Sequence, residues 1–217
     1  MRLIENRWAL AVDFAYAFGM RVGSLVHRVA PQPRGDLPPV VLIPGVYETW
    51  HFMKPVAARL AQAGHPVHFV AELGRNAATI PDAAATVRAY LDEHDLHHVV
   101  LVGHSKGGLI GKQVLLADER VDTLIALATP FSGSSYSRYM PTRPLRAFIP
   151  TAEPLRTLAS NLEVNARITS IYPLFDGHIP EGSVLEGATN VEVPVLGHFR
   201  ILSDPGALDA VVEALRE

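Results

Sequence analysis

Residues 99–116 read VVLVGHSKGGLIGKQVLL: an apolar run is followed by a serine between glycines, and then by a helix-length segment. Ser105 has Gly103 two positions before it and Gly107 two positions after it, which gives the pattern G-x-S-x-G. Small residues are needed at these positions when the chain turns so sharply from a strand into a helix that larger side chains would collide. The stretch therefore predicts a strand, a tight turn and a helix, with the Ser105 hydroxyl at the carboxyl end of the strand.

Apolar runs and helix-length segments alternate along the rest of the chain. Near-continuous apolar runs of this kind are typical of strands in a parallel sheet that helices cover on both faces. The predicted strands lie at residues 40–43, 67–70, 99–102, 124–128, 168–172 and 191–195, and the predicted helices at 54–63, 82–94, 106–117 and 205–216. Asp204 is expected to cap the last helix, with Pro205 at its first position. The sequence thus predicts an α/β fold with a mostly parallel central sheet of about six strands.

Residues 1–38 are predicted to form an N-terminal amphipathic helix and a proline-rich connector in front of a catalytic domain that spans residues 39–217. Apolar residues recur at helical spacing near the N-terminus, with Gly19 and Gly23 as candidate breaks. These apolar positions are Ile4, Trp8, Ala11, Ala15, Phe18, Val22 and Val26. We expect this stripe to pack on the domain; the alternatives are that it lies on a membrane surface or shapes a substrate entrance.

A segment rich in serine, proline and aromatic residues breaks the alternation at residues 131–162. Because it follows a predicted strand, it should lie over the carboxyl edge of the sheet, where ligands bind in open α/β folds. We expect a short cap there, with at most a short helix near its end.

The composition argues against several classes of protein. Of the 217 residues, 48% are hydrophobic, which supplies a substantial core, and the net charge of −3 argues against a nucleic-acid partner. The absence of cysteine excludes disulfides, thiolate nucleophiles and Fe–S clusters. There is no uninterrupted run of about 18 apolar residues and no clear export signal. We therefore expect a cytoplasmic protein without a transmembrane helix, with secretion left open and the oligomeric state undetermined.

A serine hydroxyl needs a histidine to take its proton and an acid to fix the tautomer of that histidine. In an α/β sheet with a serine at this kind of turn, the acid follows the serine along the chain and the histidine comes last. His198 lies between the last predicted strand and the last helix, and Asp176 directly follows the strand before it. We predict that Ser105, Asp176 and His198 form a catalytic triad, with Glu181 as the alternative acid.

Two backbone N–H groups are expected to bind the oxyanion that forms when the serine attacks an acyl carbon. Lys106 N–H lies at the start of the predicted helix, and Val46 N–H lies in the loop after the first strand, where Gly45 allows close approach. The Lys106 side chain is expected to pack along the helix and to place its ammonium in water or beside a carboxylate.

Aromatic residues near these loops are candidates for a substrate pocket, although ordinary packing is the better explanation for any one of them. They are Tyr47, Trp50, Phe131, Tyr136 and Phe148. The cluster HDLHH at 94–98 is interpreted as a solvated connector and not as a metal site. The run Gly111-Lys112-Gln113 is not a phosphate loop, because the first glycine and the Ser or Thr of that motif are missing. No cofactor and no metal are expected.

Together these motifs resemble the α/β-hydrolase fold family, specifically its small bacterial lipases and esterases. The similarity rests on GHSKGG at 103–108, LATPFSGS at 127–134, the acid region around Asp176 and the final stretch that ends in Gly197-His198. It implies hydrolysis of carboxylic esters by Ser105, Asp176 and His198, with Val46 and Lys106 as oxyanion donors. The sequence departs from the family in Pro44, where a histidine is common, in the charged Lys106, and in a cap too short for a large lid.

The same residues leave two other functions open. An acyltransferase, thioesterase or lactonase would use an identical triad, so the sequence does not separate these activities from ester hydrolysis. A ligand-binding protein that has abandoned catalysis on the same fold is the third alternative.

Overall fold

The structure is a computed structural model that describes residues 2–23 and 31–216. Its helices are α1 (Arg2–Gly23), α2 (Lys54–Gln62), α3 (Ile80–Glu93), α4 (Lys106–Ala117), α5 (Arg143–Arg146), α6 (Glu153–Ser160) and α7 (Pro205–Glu213). Its strands are β1 (Val40–Ile43), β2 (Val67–Phe69), β3 (Val99–His104), β4 (Val121–Leu127), β5 (Ile168–Phe175) and β6 (Thr189–Leu196). Within the described ranges we find no helix that combines the length and apolar character needed to cross a bilayer.

The six strands form one sheet in the order β2-β1-β3-β4-β5-β6, and all neighbours are parallel. This confirms the predicted α/β class and the number of strands. Because the chain passes from β1 outward to β2 and then back to β3 on the other side of β1, the order reverses between β1 and β3. Loops that follow the strands at such a reversal leave a crevice at the carboxyl edge of the sheet.

Two apolar layers cover the sheet, because alternate residues of each strand point to opposite faces. On β1, Val41 and Ile43 pack in the layer that contains α3, α4 and α6, whereas Val40 and Leu42 pack in the layer that contains α2 and α7. The predicted helical cover on both faces is confirmed.

The segment 131–162 contains more helix than predicted. A 3₁₀ helix spans Ser135–Tyr139 and is followed by α5 and α6. Pro144 and Pro154 lie in the first turns of these helices, where proline needs no amide partner, so they start helices here and do not break them. Leu155 of α6 is buried in the core that α4 shares, so the end of this segment belongs to the domain core.

The predicted packing of α1 is wrong. Trp8 and Phe18 belong to the stripe expected in the core, yet they are 73% and 69% exposed. The buried face consists of Ala9, Asp13 and Ala17, which follow one another at intervals of four residues. Small side chains let the helix approach closely, and the Asp13 carboxylate provides polar contacts described below. The helix continues through Gly19 to Gly23, and Val26 of the predicted stripe lies outside the described residues.

Candidate active site

Ser105 occupies the turn between β3 and α4 in a strained conformation, with φ 52° and ψ −118°. A positive φ is unfavourable for a residue with a side chain and persists only where the surroundings enforce it. Here the Ser105 N–H donates to Leu127 O at 2.8 Å. A Cβ at Gly107 would lie 2.0 Å from Ile43 O, and one at Gly103 would lie 2.4 Å from the backbone of Gly107. The two glycines therefore provide the space on which the turn depends.

Asp176 and His198 follow β5 and β6, so the parallel sheet brings them to the same edge as Ser105. Asp176 Oδ2 lies 2.7 Å from His198 Nδ1, and Oδ1 accepts from the backbone N–H groups of His178 and Ile179 at 2.8 and 3.1 Å. Since an ionised carboxylate only accepts, this partner assigns the proton to His198 Nδ1. In the neutral ring, Nε2 then keeps a free lone pair and can act as a base.

Burial opposes the charge of both groups, but their pairing outweighs it. Burial lowers the pKa of His198, while the charge and hydrogen bond of Asp176 raise that pKa above its usual value overall. The charges of Glu48 and Asp13 raise the His198 pKa further. Burial also raises the pKa of Asp176, but the charge and hydrogen bond of His198 hold it below its usual value. Asp176 is thus ionised at neutral pH and can stabilise a protonated His198.

Glu181, the alternative acid, has the Ser135 N–H as its hydrogen-bond partner instead of His198. Glu181 Oε1 accepts from the Ser135 N–H at 2.9 Å on an exposed part of the cap.

The backbone of the His198 loop is attached to the N-terminal helix through Asp13. Asp13 Oδ2 accepts from the His198 N–H at 3.0 Å, and Oδ1 accepts from the N–H groups of Phe199 and Arg200 at 2.9 and 3.0 Å. A Cβ at Gly197 would lie 2.5 Å from Asp13 Oδ1, so the glycine allows this approach. Sequence reasoning missed the contact; the signal was an acid that interrupts an apolar helix sequence.

A second buried pair, His104 and Glu48, lies next to the serine turn. His104, which precedes Ser105, has its Nδ1 2.9 Å from Glu48 and its Nε2 3.0 Å from His198 O. Glu48 Oε2 also accepts from the Gly45 N–H at 2.7 Å. The pair therefore connects the loop after β1, the serine turn and the histidine loop. Sequence reasoning missed this pair, because Glu48 directly follows the residues that were assigned to the oxyanion loop and was given no role of its own.

The Lys106 ammonium is buried and has neither of the partners predicted for it. Lys106 Nζ donates to Asn76 O at 2.9 Å, to Asn76 Oδ1 at 3.2 Å and to Ala78 O. Asn76 Nδ2 in turn donates to Pro44 O at 2.6 Å. Expecting water or a carboxylate was wrong, because backbone and amide oxygens of the loop before α3 close around the side chain. Burial lowers the pKa of Lys106 to about 8.

The loop that carries Val46 is consequently held at two neighbouring residues. Asn76 fixes Pro44 O on one side, and Glu48 binds Gly45 N–H on the other. Because the Gly45 N–H is already paired, Val46 N–H remains the oxyanion candidate in this loop. The Lys106 N–H lies at the N-terminal end of α4, directly after Ser105.

The five predicted pocket residues do not converge on one place. Phe131 and Phe148 are buried in the core layer of α3 and α4. Trp50 packs on the opposite layer and stacks on His51 with 3.8 Å between ring centroids. Tyr47, with φ 59°, lies in the loop after β1, and the Arg75 guanidinium lies 5.9 Å from its ring centre.

Tyr136 instead lines a cavity of about 450 Å³ next to Asp176. Leu10 of α1, Tyr172 and Ile179 line the same cavity, so α1 forms part of its wall. Neither Ser105 nor His198 lines it.

His178 is another imidazole close to Asp176 and His198. Its ring centroid lies 5.0 Å from that of His198, and its Nδ1 is buried without a hydrogen-bond partner, 3.7 Å from Asp13 Oδ2. Burial, together with the charge of His198, lowers the pKa of His178 to about 4, so this ring is neutral at pH 7. Asp176, His178 and His198 each offer one atom within 4.8 Å of the others, and Asp176 is hydrogen-bonded directly to His198.

The sequence matches no protein-family model and none of the curated proteins. Solved structures match over most of the chain. One is an extracellular α/β-hydrolase from a Paenibacillus species, which is described as sharing structural and functional homology with tobacco salicylic acid binding protein 2. It is 20% identical to this chain with a TM-score of 0.59, and the match covers 83% of this chain and 100% of that chain. A Paleococcus ferrophilus monoacylglycerol lipase is 16% identical with a TM-score of 0.62, covering 87% and 98%.

A third similar structure, the Bacillus licheniformis lipase BlEst2 in its propeptide form, is 17% identical with a TM-score of 0.64, covering 86% of this chain and 52% of that chain. At these identities the likeness concerns the fold. The chain has the α/β-hydrolase fold, as predicted from residues 99–116 and the alternating pattern around them.

Proposed function

We propose that this protein is a serine hydrolase that cleaves carboxylic esters with an apolar acyl group through an acyl-enzyme. The observation that carries the proposal is the 2.7 Å hydrogen bond between Asp176 and His198 at the sheet edge that also presents Ser105 with φ 52°. A strained serine at the end of a strand, an oriented histidine and a buried acid are the parts that nucleophilic acyl chemistry requires.

In the proposed reaction, His198 Nε2 takes the proton from Ser105 Oγ as Oγ attacks the ester carbonyl carbon. The N–H groups of Val46 and Lys106 bind the resulting oxyanion. When the tetrahedral intermediate collapses, the bond to the alkoxy oxygen breaks and His198 returns the proton to the leaving alcohol. Water then attacks the acyl-enzyme by the same steps, which releases the acid and regenerates Ser105.

The cavity beside Asp176, whose lining is mostly apolar but includes Asp176 and Glu192, supports an uncharged hydrophobic substrate group. Its volume of about 450 Å³ lies within the range of small-molecule sites, about 300–1,000 Å³. Leu10, Tyr172 and Ile179 supply apolar surface there. We therefore expect one arm of the ester to occupy this cavity.

Hydrolysis of p-nitrophenyl esters from acetate to palmitate by wild type and by Ser105→Ala tests the proposal. We expect the substitution to lower kcat by about 10⁴-fold or more, and the preferred chain length to separate esterase from lipase activity. If wild type is no faster than Ser105→Ala with every ester, simple ester hydrolysis is the wrong function. Ser203→Ala, which alters an exposed serine outside the site, is the matched control.

We also propose that the exposed face of α1 contacts an anionic lipid surface. Trp8, Phe14, Phe18 and Val22 are all exposed on this helix. Its sequence has three arginines, and apart from the buried Asp13 only one acidic residue. A helix with an exposed apolar face and more basic than acidic residues is compatible with interfacial binding.

Trp8 supplies the readout for this second proposal, because its ring is 73% exposed and should shift its emission to the blue when it enters a lipid surface. We expect wild type to co-sediment with phosphatidylcholine vesicles that contain phosphatidylglycerol, and Phe18→Ser/Val22→Ser to lose this binding. Leu37→Ser/Tyr139→Ser, which alters exposed apolar residues elsewhere, should bind as wild type. Absence of both co-sedimentation and an emission shift in wild type would show that the face has another role. Deleting α1 would not be a clean test, since it also removes Asp13.

A further inference from the structure

Lys112 is a buried cation that the proposed reaction does not use. It lies two turns along α4 from Ser105 and is 1% exposed. In the part of the chain that the structure describes, Lys112 Nζ has no hydrogen-bond acceptor and no acidic partner. Lysine is rarely buried without a partner, because an ammonium removed from water costs free energy that pairing normally offsets.

Lys106, the other buried lysine of α4, has hydrogen-bond partners for its ammonium group. Lys106 Nζ has three oxygen acceptors from Asn76 and Ala78. Both side chains are buried to a similar degree, and burial lowers the pKa of Lys112 to about 8, as it does for Lys106. At pH 7 Lys112 is therefore still mainly cationic, and it lacks the acceptors that Lys106 has.

Lys112 lines a second cavity of about 320 Å³, which shares one lining residue, Val184, with the cavity beside Asp176. Most of the lining is apolar, including side chains from α4, α6 and the loop before β6. The apolar lining residues are Leu109, Phe131, Leu158, Ala159, Leu162, Val184 and Leu185. Glu186, the other ionisable residue of the lining, is exposed.

Asn165 adds an unpartnered acceptor to the same cavity. Its side chain is fully buried, and Nδ2 donates to Glu186 O at 2.8 Å, which fixes the orientation of the amide. The Oδ1 atom is buried and has no hydrogen-bond partner. Buried polar atoms are nearly always paired, so an unpaired acceptor and an unpaired cation in the lining of one cavity indicate a missing ligand group.

We propose that this cavity binds a small amphiphilic carboxylate that carries a hydroxyl or amide N–H group near its carboxylate. The carboxylate accepts from Lys112 Nζ, the hydroxyl or amide group donates to Asn165 Oδ1, and the hydrocarbon part packs on Leu109, Phe131 and Leu158. A single cation in an apolar cavity suits a monoanion with a hydrophobic tail. It suits a phosphate less well, because a phosphate presents more charge and more acceptor oxygens than Lys112 alone can satisfy.

Titration with three probes of equal chain length tests the site: 3-hydroxyoctanoate, octanoate and octan-1-ol. Backbone amide resonances of the isotopically labelled protein report both affinity and location. In wild type we expect saturable shifts at Lys112 and Asn165, with 3-hydroxyoctanoate binding tightest and octan-1-ol at least about tenfold more weakly than octanoate. Lys112→Met should weaken both carboxylates by about tenfold or more and leave octan-1-ol unchanged. Lys54→Met, at a lysine outside the cavity, should bind all three as wild type.

Three results would overturn the proposal: no saturable shift at Lys112 and Asn165 in wild type, equal affinity for octanoate and octan-1-ol, or unchanged carboxylate affinity in Lys112→Met. Methionine matches the length of the lysine side chain and removes a buried charge, so the variant is expected to remain folded, and its amide spectrum checks this. The probes are acids and an alcohol that undergo no turnover. The result is therefore independent of whether Ser105 hydrolyses esters.

Discussion

The buried side chains of His104 and Glu48 contact each other at 2.9 Å, and the other ring nitrogen of His104 lies 3.0 Å from His198 O. A carbonyl oxygen only accepts, so His104 Nε2 carries a proton. The Nδ1 side of the ring contacts the Glu48 carboxylate. Because Glu48 also accepts from the Gly45 N–H, His104 and Glu48 together join the loop after β1 to the loop of His198.

Glu48→Gln and Glu48→Ala should differ sharply in activity. A glutamine can accept from the Gly45 N–H with Oε1 and donate to His104 Nδ1 with Nε2, so every partner stays paired. Alanine leaves a buried N–H and a buried ring nitrogen unpaired, at a cost of about 1–3 kcal/mol each. We expect kcat/KM for a p-nitrophenyl ester to fall less than about tenfold in Glu48→Gln and more than about 100-fold in Glu48→Ala. Equal losses in the two variants would contradict the positioning role.

Asp13→Asn should weaken the orientation of His198 without unfolding the protein. Asn Oδ1 can keep the N–H groups of Phe199 and Arg200, but its NH₂ group would face the His198 N–H, which is also a donor. We expect kcat/KM to fall about tenfold or more. The acid limb of the pH profile should also move to lower pH, since the Asp13 charge helps to raise the pKa of His198.

Asp36→Asn, at an exposed acid in the connector, is the control for Asp13→Asn and should match wild type in rate and pH profile. An unshifted acid limb in Asp13→Asn would show that Asp13 only attaches the helix.

The elements that a local pattern specifies were predictable from the sequence. Helix α4 was expected at 106–117 and lies at Lys106–Ala117, because glycines and a short apolar strand define its start. Asp204 caps α7 as expected, accepting from the Ala207 N–H at 3.0 Å. The contacts of Asp13 with the His198 loop, of Glu48 with His104 and of Lys106 with Asn76 and Ala78 were not predictable, because each joins residues that are 28 or more positions apart. No spacing rule carries that information.

The difference between local patterns and contacts made by distant residues also explains why the buried face of α1 was predicted wrongly. Hydrophobic periodicity indicated a stripe through Trp8 and Phe18, and the helix does have this stripe. Which face turns inward depends on the partners available on the domain: small residues and the three N–H groups that Asp13 binds select the opposite face.

The acid limb of the pH profile of ester hydrolysis should lie above the range of an ordinary histidine. His198 must be neutral to accept a proton, and pairing with Asp176 raises its pKa above the usual value, so activity falls as the pH drops through that raised pKa. His178 does not contribute in this range, because its pKa is about 4. The measurement is kcat/KM between pH 5 and 9, and a flat profile down to about pH 4 would exclude His198 as the base.

Asp176→Asn provides the matching variant for the pH profile. It removes the two largest causes that raise the pKa of His198, so burial dominates and the acid limb should move to lower pH. The rate should fall by about 10³–10⁴-fold, because an amide no longer selects the tautomer that leaves Nε2 free. If the acid limb of the pH profile does not move in Asp176→Asn, a group other than His198 causes that limb.

The two buried lysines of α4 should respond in opposite ways to the same substitution. Lys106→Met leaves three oxygen atoms of Asn76 and Ala78 without a donor, so we expect the free energy of unfolding at pH 7 to fall by about 2–4 kcal/mol. Lys112→Met removes a buried charge that has no partner, so stability at pH 7 should rise by about 1–3 kcal/mol.

The sign of the pH dependence checks the cause of this difference. Folding lowers the pKa of Lys112 from 10.5 to about 8, so the folded state binds fewer protons than the unfolded state between these pH values. The cost of burying the ammonium is therefore complete below about pH 8 and disappears as the pH rises toward 10.5. Urea unfolding should show the advantage of Lys112→Met over wild type at pH 7 and a smaller advantage at pH 10. An advantage that is equal at both pH values would mean that methionine stabilises α4 by packing alone, and that the Lys112 ammonium carries no burial cost.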